Sequence, residues 1–181
     1  MFSPQTEWTP PDELRDLSQA KEIAIDLETR DPNLTTRGSG SVRDDGEIVG
    51  IAVAVEGWSG YFPIAHEGGG NIDKRIVLDW FKDILKTPAT KIFHNAMYDV
   101  SWIRALGFKI EGLIVDTMIA GSLVNENRLR YNLNSLAKEY VGVGKNEKIL
   151  FEAAKEWGVN PKKEMWRLPA MHVGEYAEQD A

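Results

Sequence analysis

The stretch EIAIDLETRD, residues 22–31, constrains this chain more than any other. Ile23, Ile25 and Leu27 occupy alternate positions and so share one face of an extended strand. Asp26 and Glu28 share the opposite face with Ala24. Carboxylates two residues apart on one strand face stand roughly 6–7 Å apart, because each residue rises about 3.3 Å. Like charges that close repel, and more so where water is partly excluded. A strand built for a core therefore carries a pair of acids that ordinary packing does not explain.

The rest of the chain supplies the setting. Residues 1–20 read as an N-terminal arm, with Pro4, Pro10 and Pro11 ahead of a helix-like DELRDLSQA. The strand at 22–28 is followed by a polar loop, TRDPNLTTRGSGSVRDDGE, whose composition predicts mobility and whose DDG at 44–46 is a turn signal. EIVGIAVAV (47–55) and GYFPIA (60–65) read as sequential antiparallel strands. NIDKRIVLDWFKDILKT (71–87) has the apolar spacing of an amphipathic helix. TKIFHN is a short strand, and AMYDVSWIRALG is a helix closed by Gly107. From Asp116 onward the pattern is helical, through YNLNSLAKEYVG and NEKILFEAAKEWG to a last helix holding MHVGEYAEQDA. Three strands, a helix, a strand and then helices predict one α/β domain with a mixed sheet.

Two of these segments repeat the oddity of the first strand. Asn95 and Asp99 lie four residues apart, as do Tyr176 and Asp180, which places each pair on one helix face. Either pair alone also fits a solvated face. Taken in order, D-x-E on a strand, N-x-x-x-D after a strand and Y-x-x-x-D on a late helix form a set. That set resembles the three motifs of the DEDD exonuclease superfamily in its tyrosine-bearing form, as found in the 3′–5′ exonuclease domain of family A DNA polymerases of bacteriophage type. The resemblance extends to GYFPIAH at 60–66, HNAMYD at 94–99, VDTMIAGSLV at 115–124 and LNSLAKEYVG at 133–142, covering roughly residues 21–181.

The resemblance implies a ribonuclease H-like mixed sheet flanked by helices. It also implies a site in which Asp26, Glu28, Asp99 and Asp180 hold two divalent ions, Mg²⁺ or Mn²⁺, a hard-cation donor set without Cys or His. Asp26 would bridge both ions, Glu28 and Asp180 would complete the shell of one, and Asp99 would hold the other through water. Tyr176 would orient the attacking water with Glu28, Asn95 would touch the terminal nucleotide, and Leu34 is the candidate wedge against an unpaired 3′ end. The histidine-bearing subgroup has its His five residues before the last Asp, where this chain has Glu175. The implied substrate is the 3′ end of single-stranded or mismatched DNA, with release of nucleoside 5′-monophosphates. The implied partner is a polymerase domain on the same or another chain. The chain stops one residue after Asp180, which leaves open an excised domain or a stand-alone exonuclease. A ribonuclease D-like exoribonuclease and a catalytically silent nucleic-acid-binding module share the same residues or fold and remain alternatives.

Other features are set aside. GVGKNEK lacks the spacing of a phosphate-binding loop, EGGGN reads as a turn, and His66 and His94 read as hydrogen-bonded structural groups. Asp116 reads as a support beside the ions, and Trp80, Trp102 and Trp157 read as core. A formal net charge of −7 argues against gripping duplex nucleic acid by phosphate neutralisation alone. Bound cations would reconcile that charge with a polyanionic substrate. No apolar run reaches the roughly 18–20 residues of a membrane span, and no signal-peptide pattern opens the chain. Zero cysteines exclude disulfides and fit a reducing cytoplasm, bacterial or phage-infected.

Overall fold

The structure is a computed structural model and describes residues 4–181, so the first three residues of the arm lie outside the described residues. The order of elements is β1 (Glu22–Arg30), α1 (Leu34–Arg37), α2 (Gly40–Arg43), β2 (Glu47–Val55), β3 (Trp58–Pro63), α3 (Lys74–Leu85), β4 (Thr90–Phe93) and α4 (Ala96–Ala105). Then come β5 (Ile114–Asp116), α5 (Thr117–Val124), α6 (Leu133–Tyr140), α7 (Lys148–Trp157) and α8 (Gly174–Glu178), with 3₁₀ turns at Met165–Arg167 and Ala170–His172. The strands form one five-stranded sheet in the order β3-β2-β1-β4-β5. β1 pairs antiparallel with β2 and parallel with β4, so the sheet is mixed and β1 lies at its centre.

Strand alternation assigns each face its own core. Ile23, Ile25 and Leu27 join Ile51, Val53 and Phe62 on one face, packed against Phe81, Ile84 and Leu85 of α3 and Trp102 and Ile103 of α4. On the other face Ala52 and Tyr61 pack with Leu150, Ala153 and Ala154 of α7 and with Tyr176 and Ala177 of α8. Asp26 pairs across the ladder with Ala52, and Glu28 with Gly50, so the acids share the second face with small neighbours. A Cβ on Gly50 would lie 2.0 Å from the Tyr61 hydroxyl, so glycine there is what lets the Tyr61 ring lie flat across β2. The ladder slips by one residue after Glu28, and Leu27 and Glu28, on opposite covered faces, are both buried.

Several elements differ from their sequence expectation. DELRDLSQA is not helical: Trp80 Nε1 takes the Arg15 carbonyl at 2.8 Å, Asp16 Oδ1 accepts from Ser18 N at 2.8 Å, and Leu14 and Leu17 enter the first core from an extended chain. The loop after β1 is pinned rather than loose. The Asp31 carboxylate accepts from Gly40 N at 3.0 Å and from the Tyr98 hydroxyl at 3.2 Å, and Asn33 Nδ2 donates to Asp45 at 2.8 Å. The third strand is Trp58–Pro63, two residues earlier than its apolar run. A fifth strand, Ile114–Asp116, which the sequence pattern does not predict, precedes the helix expected from Asp116, because Ile114 and Val115 pair with the edge of β4. Trp157, expected in the core, is 45% exposed, since the apolar stripe of α7 ends its buried run at Ala154. The last helix is a single turn, Gly174–Glu178, and Asp180 lies beyond its end.

Candidate active site

β1 delivers Asp26 and Glu28 to the second face of the sheet, and α8 and the residue beyond it deliver Tyr176 and Asp180 to the same place. One oxygen each from Asp26, Glu28 and Asp180 lies within 4.8 Å of the other two. Asp99 comes from the first turn of α4, where the helix dipole favours an anion, and its Oδ1 accepts from Leu27 N at 3.0 Å. It stands outside the trio but within reach of its field, since the charge on Asp26 raises its pKa.

The start of α4 is fixed by Asp116. Its carboxylate accepts from Asn95 N at 3.0 Å, Ala96 N at 2.8 Å and Met118 N at 2.9 Å, tying β5, α4 and α5 together. Asn95 takes a left-handed backbone, φ 66°, which turns the chain sharply between β4 and α4 and leaves Asn95 exposed at the cleft. His94 Nδ1 is 2.9 Å from Thr117 Oγ1, and His66 bridges the Tyr61 hydroxyl (2.6 Å) and the Leu168 carbonyl (3.0 Å). Both are hydrogen-bonded groups outside the acidic trio.

These side chains line an open cleft of about 460 Å³ bounded by Asp26, Glu28, Asp99, Tyr176 and Asp180 on its floor. Pro32, Leu34, Thr35, Asn95, Tyr98 and Lys162 form its walls, and Leu34, on α1, is 40% exposed. Burial pushes the Asp26 carboxyl up to about 7, with Asp180 adding to the rise and Lys145 opposing it. Burial, then Asp26, carries Asp99 up to about 8, and Glu28 is raised for the same reasons. The Tyr176 hydroxyl is pushed well above the ordinary tyrosine range, by burial first and then by Glu28 and Asp180, so it stays protonated.

Two lysines that the sequence pattern did not single out enter the site. Lys145 Nζ sits 2.6 Å from the Asp180 carboxylate. Lys162 Nζ lies 3.2 Å from the Tyr176 hydroxyl and 4.3 Å from its ring centroid. Lys145 belongs to GVGKNEK, a loop set aside for lacking a phosphate-loop spacing. Nothing in that spacing signals a partner 35 residues away. The donor set suits a hard divalent cation: oxygen-only, partly desolvated, and compensated in the protein by an ammonium group.

A family model described as 3′-5′ exonuclease matches residues 2–181. The chain belongs to this 3′–5′ exonuclease family. Among curated relatives, the chain is 38% identical over 97% of its length to a DNA-directed DNA polymerase of Pseudomonas phage M6, and 27% identical over 93% of its length to DNA polymerase I of Pseudomonas aeruginosa. It spans 27% of the first relative's length and 18% of the second's. Among solved structures, Brucella melitensis NrnC with bound Mg²⁺ superposes with a TM-score of 0.57 at 22% identity, covering 96% of this chain and 72% of that one. Escherichia coli RNase D, an exoribonuclease, superposes with a TM-score of 0.56 at 17% identity, covering 91% and 37%. These similarities give the chain a ribonuclease H-like fold, with its mixed sheet flanked by helices. No helix among the described residues is long and apolar enough to cross a membrane.

Proposed function

We propose that residues 21–181 form a metal-dependent 3′–5′ exonuclease unit, preceded by an arm at 1–20, that removes nucleotides from unpaired or mismatched 3′ ends of DNA. The product is a nucleoside 5′-monophosphate, and the role is proofreading beside a polymerase domain. The observation that carries this reading is the meeting of Asp26, Glu28 and Asp180 within 4.8 Å at the floor of an open cleft, with Asp99 beside them. The 38% identity to a phage DNA polymerase favours DNA over RNA.

In this reading Asp26, Glu28, Asp180 and Asp99 hold two divalent cations, Mg²⁺ or Mn²⁺. When bound, these ions lower the pKa of a water for in-line attack and offset charge on the leaving 3′-oxygen. Tyr176 stays protonated, so it positions that water together with Glu28 and does not act as a base. The Lys162 ammonium donates to the Tyr176 oxygen, and the hydroxyl's own proton is shared with the Asp180 carboxylate, which holds the phenol at the floor of the cleft. Leu34 and Asn95, which both line the cleft, contact the unpaired terminal nucleotide.

The test is incubation of 3′-labelled and 5′-labelled single strands, matched and mismatched duplexes, and RNA, with Mg²⁺ or with EDTA. Mononucleotides should leave the 3′ end of DNA in Mg²⁺ only, faster from a mismatched end than from a paired one. Undiminished hydrolysis after chelation, or release from the 5′ end, contradicts the reading. Faster hydrolysis of RNA assigns the ribonuclease D-like alternative, and no hydrolysis assigns the silent module.

A further inference from the structure

We propose that Lys145 is an internal counter-ion to the Asp26–Glu28–Asp180 cluster, which an entering divalent cation displaces. This rests on the metal-binding reading of the site given above. The Lys145 ammonium sits 2.6 Å from Asp180, with the two side chains only 15% and 7% exposed. It lies 5.2 Å from the centroid of the Tyr176 ring, so it occupies the side of the cluster formed by α8. A cation bound by the same carboxylate at about 2.0–2.6 Å would stand a few ångströms from this ammonium, in a site where water screens little. Both positive charges cannot hold Asp180 at full strength together. A lysine suits such an exchange better than an arginine would, because its compact ammonium on a flexible stem rehydrates without losing a two-pronged contact.

The loop is built to aim this side chain. Asn134 Oδ1 accepts from Lys145 N at 3.2 Å, which ties the residue to α6. Gln179 Oε1 accepts from Asn146 N at 2.7 Å, and Asn146 Nδ2 donates to Glu175 Oε1 at 3.3 Å, which ties the next residue to both ends of α8. The backbone is thus held by contacts that do not involve the ammonium. The stem can leave Asp180 while the loop stays in place.

Exchange predicts opposite effects with and without metal. Lys145→Met keeps most of the stem and removes the charge. In calorimetric titrations with Mn²⁺ it should bind about tenfold more tightly than wild type, the size expected when one charged hydrogen bond no longer has to be broken. Its melting midpoint should fall below wild type in EDTA and rise more than wild type when Mg²⁺ is added. Reductive methylation of the wild-type protein, read by mass spectrometry, should modify Lys145 slowly in EDTA and several-fold faster in Mg²⁺, with the exposed Lys86 as the internal reference. Equal or weaker Mn²⁺ affinity in Lys145→Met, or methylation of Lys145 indifferent to Mg²⁺, overturns the exchange. If the methionine variant does not fold, Lys145→Gln and the wild-type methylation decide the matter. Asp26→Ala separates the two levels. If it binds Mn²⁺ like wild type, the metal reading itself falls; if it loses Mn²⁺ while Lys145→Met leaves affinity unchanged, only the exchange falls.

Discussion

Asp26 and Tyr176 meet at the same floor but do different work in the proposed reaction, and single substitutions separate them. Asp26→Ala removes the carboxylate proposed to touch both cations, and activity should drop by more than about 1,000-fold. Tyr176→Phe keeps the ring and loses one positioning hydroxyl, for a loss of about 10- to 1,000-fold. Mg²⁺ should raise the wild-type melting midpoint by mass action and that of Asp26→Ala much less; equal shifts would remove Asp26 from the ligand set. His66 offers a test independent of the metal. Burial holds its imidazole down to about 4, neutral between the Tyr61 hydroxyl and the Leu168 carbonyl. The unfolded chain takes up that proton near pH 6.5 and the folded one only near 4, so its stabilising contribution is complete above about pH 6.5 and is lost as pH falls toward 4. The loss amounts to the order of 3 kcal/mol. Urea midpoints of wild type and His66→Gln at pH 4.5 and 7 should diverge accordingly, with the wild type showing the steeper decline on acidification.

Among the elements, β5 and the turn into α4 depend on one side chain. Asp116 receives three backbone N–H groups from two helices and the residue before one of them. Asp116→Ala leaves those donors unmet and should cost about 2–4 kcal/mol in chemical unfolding, whereas Asp116→Asn should recover part of that. The central strands and α3, α4 and α7 were legible because their apolar spacing is the property the core selects. β5 was not: three residues carry no period, and Ile114–Asp116 extends only because β4 offers an edge. The helix-like pattern of the arm is not realised, because local propensity takes no account of Trp80, which donates to the Arg15 carbonyl from another element. The acids of the site were legible through their order along the chain. Lys145 and Lys162 were not, since each reaches its partner through a loop whose path no local pattern encodes.

For the molecule as a whole, the acidic cluster would make the proposed cation binding depend on pH. Without metal, Asp26 and Asp99 have folded pKa values raised to about 7 and 8, so their contribution to stability is complete at low pH and is lost as pH rises through those values. A cation must displace the protons these groups retain at low pH, and at high pH it relieves their repulsion. The Mg²⁺-induced rise in melting midpoint should therefore be small at pH 5.5 and largest near pH 8.5. A rise independent of pH would mean that these carboxylates are not the groups the ion meets.

The arm also touches the last turn. Trp8 packs against Gly174, where any Cβ would fall 2.1 Å from the indole, and its Nε1 donates to Glu178 Oε1 at 2.9 Å, the same oxygen that accepts from Tyr61 N at 3.1 Å. The indole thus rides on α8, two residues short of Asp180 at its nearest hydrogen bond. It is a built-in optical probe. The difference in emission between wild type and Trp8→Phe isolates its light from the other five tryptophans, and that difference spectrum should shift on addition of Mn²⁺-free Mg²⁺ as Asp180 changes partners. A difference spectrum unmoved by saturating Mg²⁺ would mean that the turn carrying Asp180 does not move when the ion is added.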